Sequence, residues 1–178
     1  MEKIEYEGRI LEIDKKNIIE KLEALGAKKE GEYNYRRYTY EFDPKIYEKW
    51  IRLRTDGTKT TLTIKEIKDY TVSGTREKEI IVSDFDMTNE ILNELGYKPK
   101  NYQENNRIRY ILDNVEIDID TWPLIPTYME IEGKNENDIY EALQLLEIEK
   151  SKLVTLDVES IFLEVYGIDI GKMKTLKF

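Results

Sequence analysis

The sequence predicts an α+β fold in which antiparallel strands close into a barrel with a charged lining and helices pack on the outside. Three observations support this. Runs such as WIRLRT and VEIDID alternate, so charged side chains share one strand face and apolar side chains share the other. The charges recur as like pairs two residues apart. Apolar helical runs, two of them ended by a glycine, separate the strands.

The composition limits the possible functions. The chain has 178 residues, enough for one domain with a core, and carries a net charge of −9. It has no histidine and no cysteine, which excludes Ser-His-Asp and Cys-His catalysis and makes a zinc site improbable. The acidic balance argues against nucleic acid as a partner. No apolar run approaches the about 18 residues of a membrane span, and the first ten residues lack a signal-peptide layout, so we expect a cytoplasmic protein without membrane contact.

The first half of the chain contains four predicted strands and one helix. The opening strand is predicted over residues 2–13. A helix follows, with Asp14 as its N-cap and a stop at Gly26. The tyrosine-rich strand YNYRRYTYEF comes next. The strands WIRLRT and TTLTIKEI then flank Asp56-Gly57, which predicts a β-hairpin.

The second half has a similar order. The strand TREKEIIV leads to a helix predicted over residues 89–95 and ended by Gly96. The strands NNRIRYIL, VEIDID and TYMEIEG follow, the first two joined at Asp113-Asn114. A third helix is predicted over residues 137–146, and DVESIFLEVYG predicts a fourth in the tail, residues 147–178.

A weak internal repeat links the two halves. LEALGAKK at residues 22–29 resembles LNELGYKP at residues 92–99, and the same offset places Arg37 on Arg107 and Tyr40 on Tyr110. Two similar halves of one sheet system would explain it. Chance similarity between amphipathic helices is the alternative.

Like charges on one strand face are the most informative pattern. They occur as Glu5/Glu7, Arg52/Arg54, Glu77/Glu79, Arg107/Arg109, Asp118/Asp120 and Glu130/Glu132. A solvated face explains any single strand, but such pairs repel, and a solvated sheet has no reason to repeat them. Arginine outnumbers lysine at these positions, and arginine is favoured where bidentate contact with phosphate matters.

Closure of the strands into a barrel turns these charged faces into a lining. Basic strands on one wall would then face acidic strands on the other. A ligand with dense negative charge accompanied by hard cations fits between them. A polyphosphate with Mg²⁺ or Mn²⁺ has this chemistry, because guanidinium and ammonium groups bind phosphate oxygens and carboxylates bind the metal.

The sequence resembles the CYTH domains, also called triphosphate tunnel metalloenzymes, which include class IV adenylate cyclases, thiamine triphosphatases and tripolyphosphatases. Glu5-Tyr6-Glu7-Gly8-Arg9 stands where the family has its N-terminal ExExK motif. The runs IRLR and TIKE, the strand of Glu77 and Glu79, and the runs RIR, EIDID and YMEIEG follow in family order, so the resemblance covers residues 1 to about 146.

The resemblance implies an eight-stranded antiparallel tunnel that binds a triphosphate with Mg²⁺ or Mn²⁺. The implied metal ligands are Glu5, Glu7, Glu130 and Glu132, supported by Asp118 and Glu79. The implied phosphate-binding residues are Arg9, Arg52, Arg54, Lys65, Arg107 and Arg109. The catalytic set predicted from these is Glu5, Glu7, Arg9 and Lys65. Strand register decides whether Glu77 or Glu79 faces the tunnel.

Three positions depart from the family pattern. Arg9 replaces a lysine, so it keeps the charge but cannot accept a proton. Asp120 stands where relatives often have a basic residue. Many relatives also use a lysine near the C-terminus, and here Lys150, Lys152 and Lys172 are candidates that no motif aligns.

Three functions follow as hypotheses. The leading one is metal-dependent hydrolysis of a triphosphate that releases phosphate. The alternatives are a class IV adenylate cyclase, which converts ATP to cyclic AMP and pyrophosphate, and a non-catalytic module that binds polyphosphate or nucleotide. Tyr33, Tyr35, Tyr38 and Tyr40 either stack on a base or pack structurally. We expect a single domain, residues 1–178, acting as a monomer or homodimer on a small-molecule triphosphate or ATP.

Overall fold

The computed structural model describes residues 3–178. We number its strands and helices in chain order. The strands are β1 (Lys3–Ile10), β2 (Lys28–Glu41), β3 (Lys49–Thr55), β4 (Thr60–Ile67), β5 (Thr75–Val82), β6 (Asn101–Leu112), β7 (Val115–Thr121), β8 (Tyr128–Gly133) and β9 (Thr175–Leu176). The helices are α1 (Lys15–Ala24), α2 (Phe85–Glu94), α3 (Glu136–Leu145) and the short α4 (Val158–Ser160), which continues as a π-helical turn, Ile161–Val165.

Strands β1 to β8 form a closed antiparallel barrel. Their order is β2-β3-β4-β5-β1-β8-β7-β6, and a long pairing between β6 and β2 closes the ring. The short β9 adds a parallel pairing to one end of β6. The predicted eight-stranded barrel of an α+β fold, with helices outside, is therefore confirmed. In this ring β1 lies four strands from β2 in either direction, so these two strands form opposite walls.

The apolar strand faces point outward, where the helices cover them. One core cluster joins α1 and α3 to the outer faces of β7 and β8, with Leu22, Ile117, Ile131 and Leu143 almost fully buried. A second cluster packs Phe85 of α2 against Tyr40 and Leu53. Burial of these side chains, at about 25 cal/mol per Å² of apolar surface, is the main force holding the helices on the barrel.

The tail closes one side of the molecule. Its Ile161 and Phe162 are fully buried against Trp122 and Tyr128, in a third cluster. The tail also pairs with β1 at one position: the Arg9 backbone exchanges two hydrogen bonds with Val154, each with an N···O distance of 2.8 Å. This segment includes the fourth predicted helix, shorter than expected. The treatment of the whole chain as one domain, with a tail beginning at residue 147, remains a prediction.

Two predicted element boundaries are wrong. The opening strand ends at Ile10 rather than at residue 13, because Glu12 adopts a left-handed conformation with φ of 54°. Its predicted start at residue 2 lies outside the described residues. Helix α2 begins at Phe85 rather than at residue 89, because the Asp84 carboxylate accepts a hydrogen bond from the Met87 N–H and caps the helix there.

The remaining local predictions agree with the structure. Asp14 caps α1 by accepting from the Asn17 N–H, and α3 differs from its predicted range by one residue at each end. Gly26 and Gly96 follow the first two helices with φ of 78° and 95°, the left-handed conformation that ends a helix and favours glycine. No helix in residues 3–178 is long and apolar enough to cross a membrane.

The internal repeat has a structural counterpart. Helices α1 and α2 start 70 residues apart, at Lys15 and Phe85, and each leads into one strand of the β2–β6 pair. In that pair Tyr35 lies opposite Asn105, and in the β1–β5 pair Glu5 lies opposite Thr75. Both pairs also have a 70-residue difference (105 − 35 and 75 − 5). An approximate two-fold axis through the barrel therefore relates the two halves.

Candidate active site in the charged tunnel

The barrel encloses a cavity of about 840 Å³, lined by the charged strand faces. Paired residues in an antiparallel sheet point to the same side. The register pairs Arg9 with Glu130, Glu130 with Asp118, and Asp118 with Arg109, so the charges of β1, β8, β7 and β6 all face inward. We call this cavity the tunnel. The charged row of β1 therefore belongs to a buried lining.

The residue predicted as a phosphate ligand at the family motif, Arg9, is held by protein groups. Its guanidinium forms ion pairs with Glu7, at 3.2 Å, and with Glu130, and its Nη1 donates to the Leu156 carbonyl at 2.8 Å. Burial opposes its charge, but Glu130 and Glu7 outweigh burial and raise its pKa further. Arg9 is thus a fixed cation that also ties the tail to β1.

Lys65 lies between two carboxylates of neighbouring strands. Its Nζ donates to Glu5 at 2.8 Å and lies 3.1 Å from Glu77. Burial favours the neutral amine, yet Glu5 and Glu7 outweigh it and raise the pKa of Lys65. The ammonium group therefore stays protonated at neutral pH.

Both Glu77 and Glu79 face the tunnel. They pair with Lys65 and Thr63 of β4, and side chains two apart share a strand face. The expectation that register selects one of them was therefore wrong. Arg52 lies 3.7 Å from Glu77 and 3.5 Å from Glu79, and Glu79 also accepts from the Thr63 hydroxyl. Burial acts to raise the pKa of Glu77, but the charges of Lys65 and Arg52 lower it.

The arginines of β6 are engaged with the aspartates of β7. Arg109 forms a bidentate pair with Asp118, with both N···O distances 2.8 Å. Arg107 contacts Asp118, Asp120 and Glu130. Asp120, the departure from the family pattern, is fully buried. Its burial raises its pKa despite the charge of Arg107.

The predicted metal ligands line β1 and β8. Glu7 lies directly opposite Glu132, and Glu132 accepts from Lys3 at 2.6 Å. Burial raises the pKa of Glu132, and the charges of Glu5 and Glu130 add to this despite Lys3. Glu130 behaves in the opposite way, because Arg9 and Arg107 outweigh burial and lower its pKa.

Sequence reasoning gave no role to Arg37, which lies in β2, opposite β1, on the same strand face as the tunnel residues Arg54 and Gln103 with which it pairs. Arg37 is only 7% exposed, and its Nη2 donates to Asn105. It lies directly across from Arg54, the predicted phosphate ligand. Within residues 3–178, neither guanidinium forms an ion pair with a carboxylate. The repeat offset, which aligns Arg37 with Arg107, was the sequence signal that could have identified it.

The four tyrosines of β2 divide between the two strand faces. Tyr33 and Tyr35 line the tunnel and stack on each other with ring centroids 5.8 Å apart. Tyr38 instead packs on Phe85 outside the barrel, and Tyr40 is buried in the same outer cluster. Only the first pair is therefore available to a ligand.

Comparison with known proteins identifies the class. The family model of the CYTH domain matches residues 3–160. The chain therefore belongs to the CYTH domain family. No curated protein sequence matches it.

Several solved structures have the same fold. The Pyrococcus horikoshii OT3 protein PH1012 has a TM-score of 0.76 at 23% identity, covering 86% of this chain and 96% of the other. A candidate adenylate cyclase from Vibrio parahaemolyticus has a TM-score of 0.77 at 10% identity, covering 90% and 98%. The candidate adenylyl cyclase HpAC1 from Hippeastrum, described as having a dominant triphosphatase activity, has a TM-score of 0.59 at 14% identity, covering 94% and 97%.

Proposed function

We propose that this chain binds a triphosphate with divalent metal ions inside the tunnel and hydrolyses it, releasing phosphate. The observation that carries the proposal is a cavity inside the barrel that is lined by five arginines, six lysines and numerous carboxylates. Burying so many charges lowers the stability of a protein through desolvation. Their concentration in one cavity therefore indicates a functional site. Membership of the CYTH family and the triphosphatase activity described for HpAC1 support the same conclusion.

In this proposal the tunnel cations bind the phosphate oxygens. Arg52, Arg54 and Arg107 offer guanidinium forks, which match phosphate oxygens in bidentate geometry, and Lys65 offers a point charge. Because Lys65 and Arg9 remain protonated, they stabilise negative charge that develops at phosphorus rather than accept a proton.

The metal ions would be held by the carboxylates of β1 and β8. Among the residues described, no three carboxylates already form a metal-binding group. The donors nevertheless fit a hard cation, because Glu7 and Glu132 face each other as like charges and a divalent ion would relieve their repulsion. Glu5, Glu130, Glu79 and Asp118 complete the proposed set. When bound, the metal would polarise the phosphate oxygens.

The proposed reaction is attack of water on the terminal phosphorus. A new P–O bond forms, the bond to the bridging oxygen breaks, and diphosphate leaves with orthophosphate as the second product. Glu5 and Glu7 are proposed to orient the attacking water by accepting its hydrogen bonds. Arg9 neutralises the charge beside them.

A class IV adenylate cyclase is the second candidate. The stacked Tyr33 and Tyr35 in the tunnel lining offer an aromatic face on which a purine could pack. In that reaction the 3′-hydroxyl of ATP attacks the α-phosphorus and pyrophosphate leaves.

Product analysis tests the proposal. Purified protein is incubated with tripolyphosphate, thiamine triphosphate or ATP, in the presence of Mg²⁺ or Mn²⁺. We expect orthophosphate release, and a reduction of kcat/KM by about 10- to 100-fold in Arg52→Gln, because a charge-assisted contact is lost. Arg36→Gln is the matched control, since Arg36 lies on the outer face of the barrel over Phe85.

The alternative products identify the alternative functions. Formation of cyclic AMP and pyrophosphate from ATP would show that the protein is an adenylate cyclase rather than a triphosphatase. Tight binding without any product would show that it is a non-catalytic binding module. Absence of both turnover and thermal stabilisation by all three ligands would contradict the proposal itself.

A further inference from the structure

Arg37 is a buried cation that the proposed hydrolysis does not yet use. Its guanidinium carbon lies 4.6 Å from the centroid of the Trp122 ring, and its Nη2 donates to Asn105. The Nε–H is buried and has no hydrogen-bond partner. Asn105 in turn donates to Asp120 at 2.8 Å, so the nearest carboxylate reaches Arg37 only through an amide.

Arg54 is a second inward-facing arginine without an ion pair among the residues described. It lies opposite Arg37 in the β2–β3 register, and its guanidinium carbon is 4.5 Å from the centroid of the Tyr35 ring. Burial together with the charges of Arg52 and Arg107 lowers the pKa of Arg54 to about 10, and burial with the charges of Arg54 and Arg52 lowers that of Arg37. Two cations thus lie side by side on the inward face of β2 and β3, and within residues 3–178 neither forms an ion pair with a carboxylate.

Buried charges in proteins are normally paired, because desolvation of an unpaired ion is costly. The other cations of the lining, such as Arg9, Arg107 and Lys65, follow this rule. The exception at Arg37 and Arg54 is confined to the wall opposite the β1 carboxylates. An anion that arrives with a ligand would supply the missing partner. The Nε–H and a neighbouring Nη group of arginine form one edge of the guanidinium, and this edge can bind two oxygens of one phosphate.

We propose that Arg37, together with Arg54, binds a phosphate of the substrate that lies across the tunnel from Glu5, Glu7 and Glu132. This inference rests on the proposed function and adds a specificity determinant to it. A linear triphosphate is long enough to contact both walls, whereas a diphosphate satisfies fewer of the cations at once. Arg37 therefore selects for the longer phosphate chain.

Calorimetric titration tests the role of Arg37 independently of turnover. Tripolyphosphate and pyrophosphate are titrated, without metal, into the wild-type protein, Arg37→Gln, Arg37→Lys and the control Arg36→Gln. Melting temperatures of the ligand-free proteins are recorded as well. Arg36 neighbours Arg37 in sequence but faces outward, so it controls for the loss of one positive charge.

We expect Arg37→Gln to weaken tripolyphosphate binding about 10- to 100-fold and pyrophosphate binding less than about threefold, because only the longer chain reaches Arg37. Arg37→Lys should regain part of the affinity, since it keeps the charge and loses the fork. The ligand-free Arg37→Gln protein should melt no lower than wild type, because the substitution removes an uncompensated buried charge. Arg36→Gln should leave both affinities unchanged.

A structural role for Arg37 gives the opposite result. A lower melting temperature of Arg37→Gln with unchanged tripolyphosphate affinity in Arg37→Lys would overturn the inference while leaving the proposed function intact. Equal weakening for both phosphates would overturn the length selection. If the wild-type protein binds no polyphosphate and hydrolyses none, both the proposed function and the role of Arg37 are refuted.

Discussion

At the residue scale, the tunnel contains two kinds of buried cation. Lys65 and Arg107 are surrounded by carboxylates, which keep them protonated. Arg54 and Arg37 have aromatic or amide neighbours instead. We expect the first kind to stabilise the ligand-free protein and the second kind to destabilise it, because the second kind has no carboxylate partner. Removal of a charge of the first kind should therefore lower the free energy of unfolding, whereas removal of a charge of the second kind should not.

Replacement of Lys65 illustrates the first kind. Lys65→Gln leaves the buried Glu5 and Glu77 without their ammonium partner, so we expect the free energy of unfolding to fall by about 3 to 5 kcal/mol. The proposed hydrolysis should also fall, because Lys65 is one of the cations proposed to bind phosphate. Chemical denaturation and phosphate release measure the two effects.

Lys68→Gln is the control for this prediction. Lys68 follows the same strand, but its side chain is half exposed and, within residues 3–178, forms an ion pair only with Glu66. An exposed pair of this kind contributes at most about 1 kcal/mol. Equal destabilisation by both substitutions would contradict a buried ion-pair role for Lys65.

The sequence allowed most of the charged lining to be predicted, because period-two alternation assigns each charge to a face. The prediction of inward-facing charges failed where this alternation was weak. Arg37 lies in a strand whose tyrosines point to both faces and whose next residue, Arg36, is also basic, so alternation did not identify the inward arginine. The uncompensated state of Arg37 depends on Trp122 and Asn105, which are distant in sequence.

At the element scale, the tail and β1 are held together at one point of close approach. A Cβ added at Gly8 would lie 2.5 Å from Leu153 Cδ1, so glycine is required for the present packing. The Arg9–Val154 backbone pairing and the Leu156 carbonyl lie next to it. The tail therefore fixes the part of β1 that carries Glu7 and Arg9.

Gly8→Ala should displace Leu153 and lower the free energy of unfolding by about 1 to 3 kcal/mol through overpacking. The double variant Gly8→Ala/Leu153→Ala should be destabilised by less than the sum of its single variants, because the smaller side chain accommodates the new methyl group. Urea denaturation of the four proteins measures the coupling. Strict additivity would show that Gly8 and Leu153 do not interact.

Element boundaries were predictable where a cap stood next to a periodic apolar run, as at Asp14 and Gly26. Helix α2 was predicted four residues short because its first turn is polar at Asp86 and Thr88, which hides the periodicity behind the Asp84 cap. The early end of β1 depends on the conformation of Glu12 and on a hydrogen bond from the Ile13 N–H to the Thr127 carbonyl, a contact that sequence does not reveal.

At the scale of the whole molecule, the buried ion pairs make stability depend on pH. The pKa of Glu130 is lowered in the folded protein, as are those of Glu77 and Glu79. A carboxyl group with a lowered pKa stabilises the fold above its unfolded pKa of about 4.3, and this contribution is lost as the pH falls through the folded pKa. The raised pKa values of Glu132 and Asp120 act in the opposite direction.

A comparison with Glu130→Gln isolates one of these contributions. At pH 7 the wild-type protein should be the more stable, because Glu130 pairs with Arg9 and Arg107. The difference should shrink as the pH falls below about 4, because Glu130 takes up a proton in the unfolded chain there while its lowered pKa keeps it ionised in the folded protein. Denaturation midpoints between pH 3 and pH 7 measure it. A difference that does not change with pH would show that the charge of Glu130 is unimportant for stability.

Barrel closure is the feature least accessible to sequence reasoning from residues alone. Its closing contact, between β2 and β6, joins residues far apart in the chain, and no local pattern encodes that pairing. Repulsion between like charges on single strands favoured closure, but eight strands were implied by the family resemblance. The single-domain assignment and the ligand roles of the lining residues remain predictions that the experiments above address.

The approximate two-fold axis has a consequence for the ligand. The 70-residue offset relates Glu7 of β1 to Glu77 of β5, but it relates the cation of Arg9 to the anion of Glu79. The two halves thus have similar backbones and unlike charges. Inorganic tripolyphosphate has identical ends, whereas the two halves of the tunnel carry different charges. If the proposed hydrolysis holds, the protein rather than the substrate determines which terminal phosphorus is attacked.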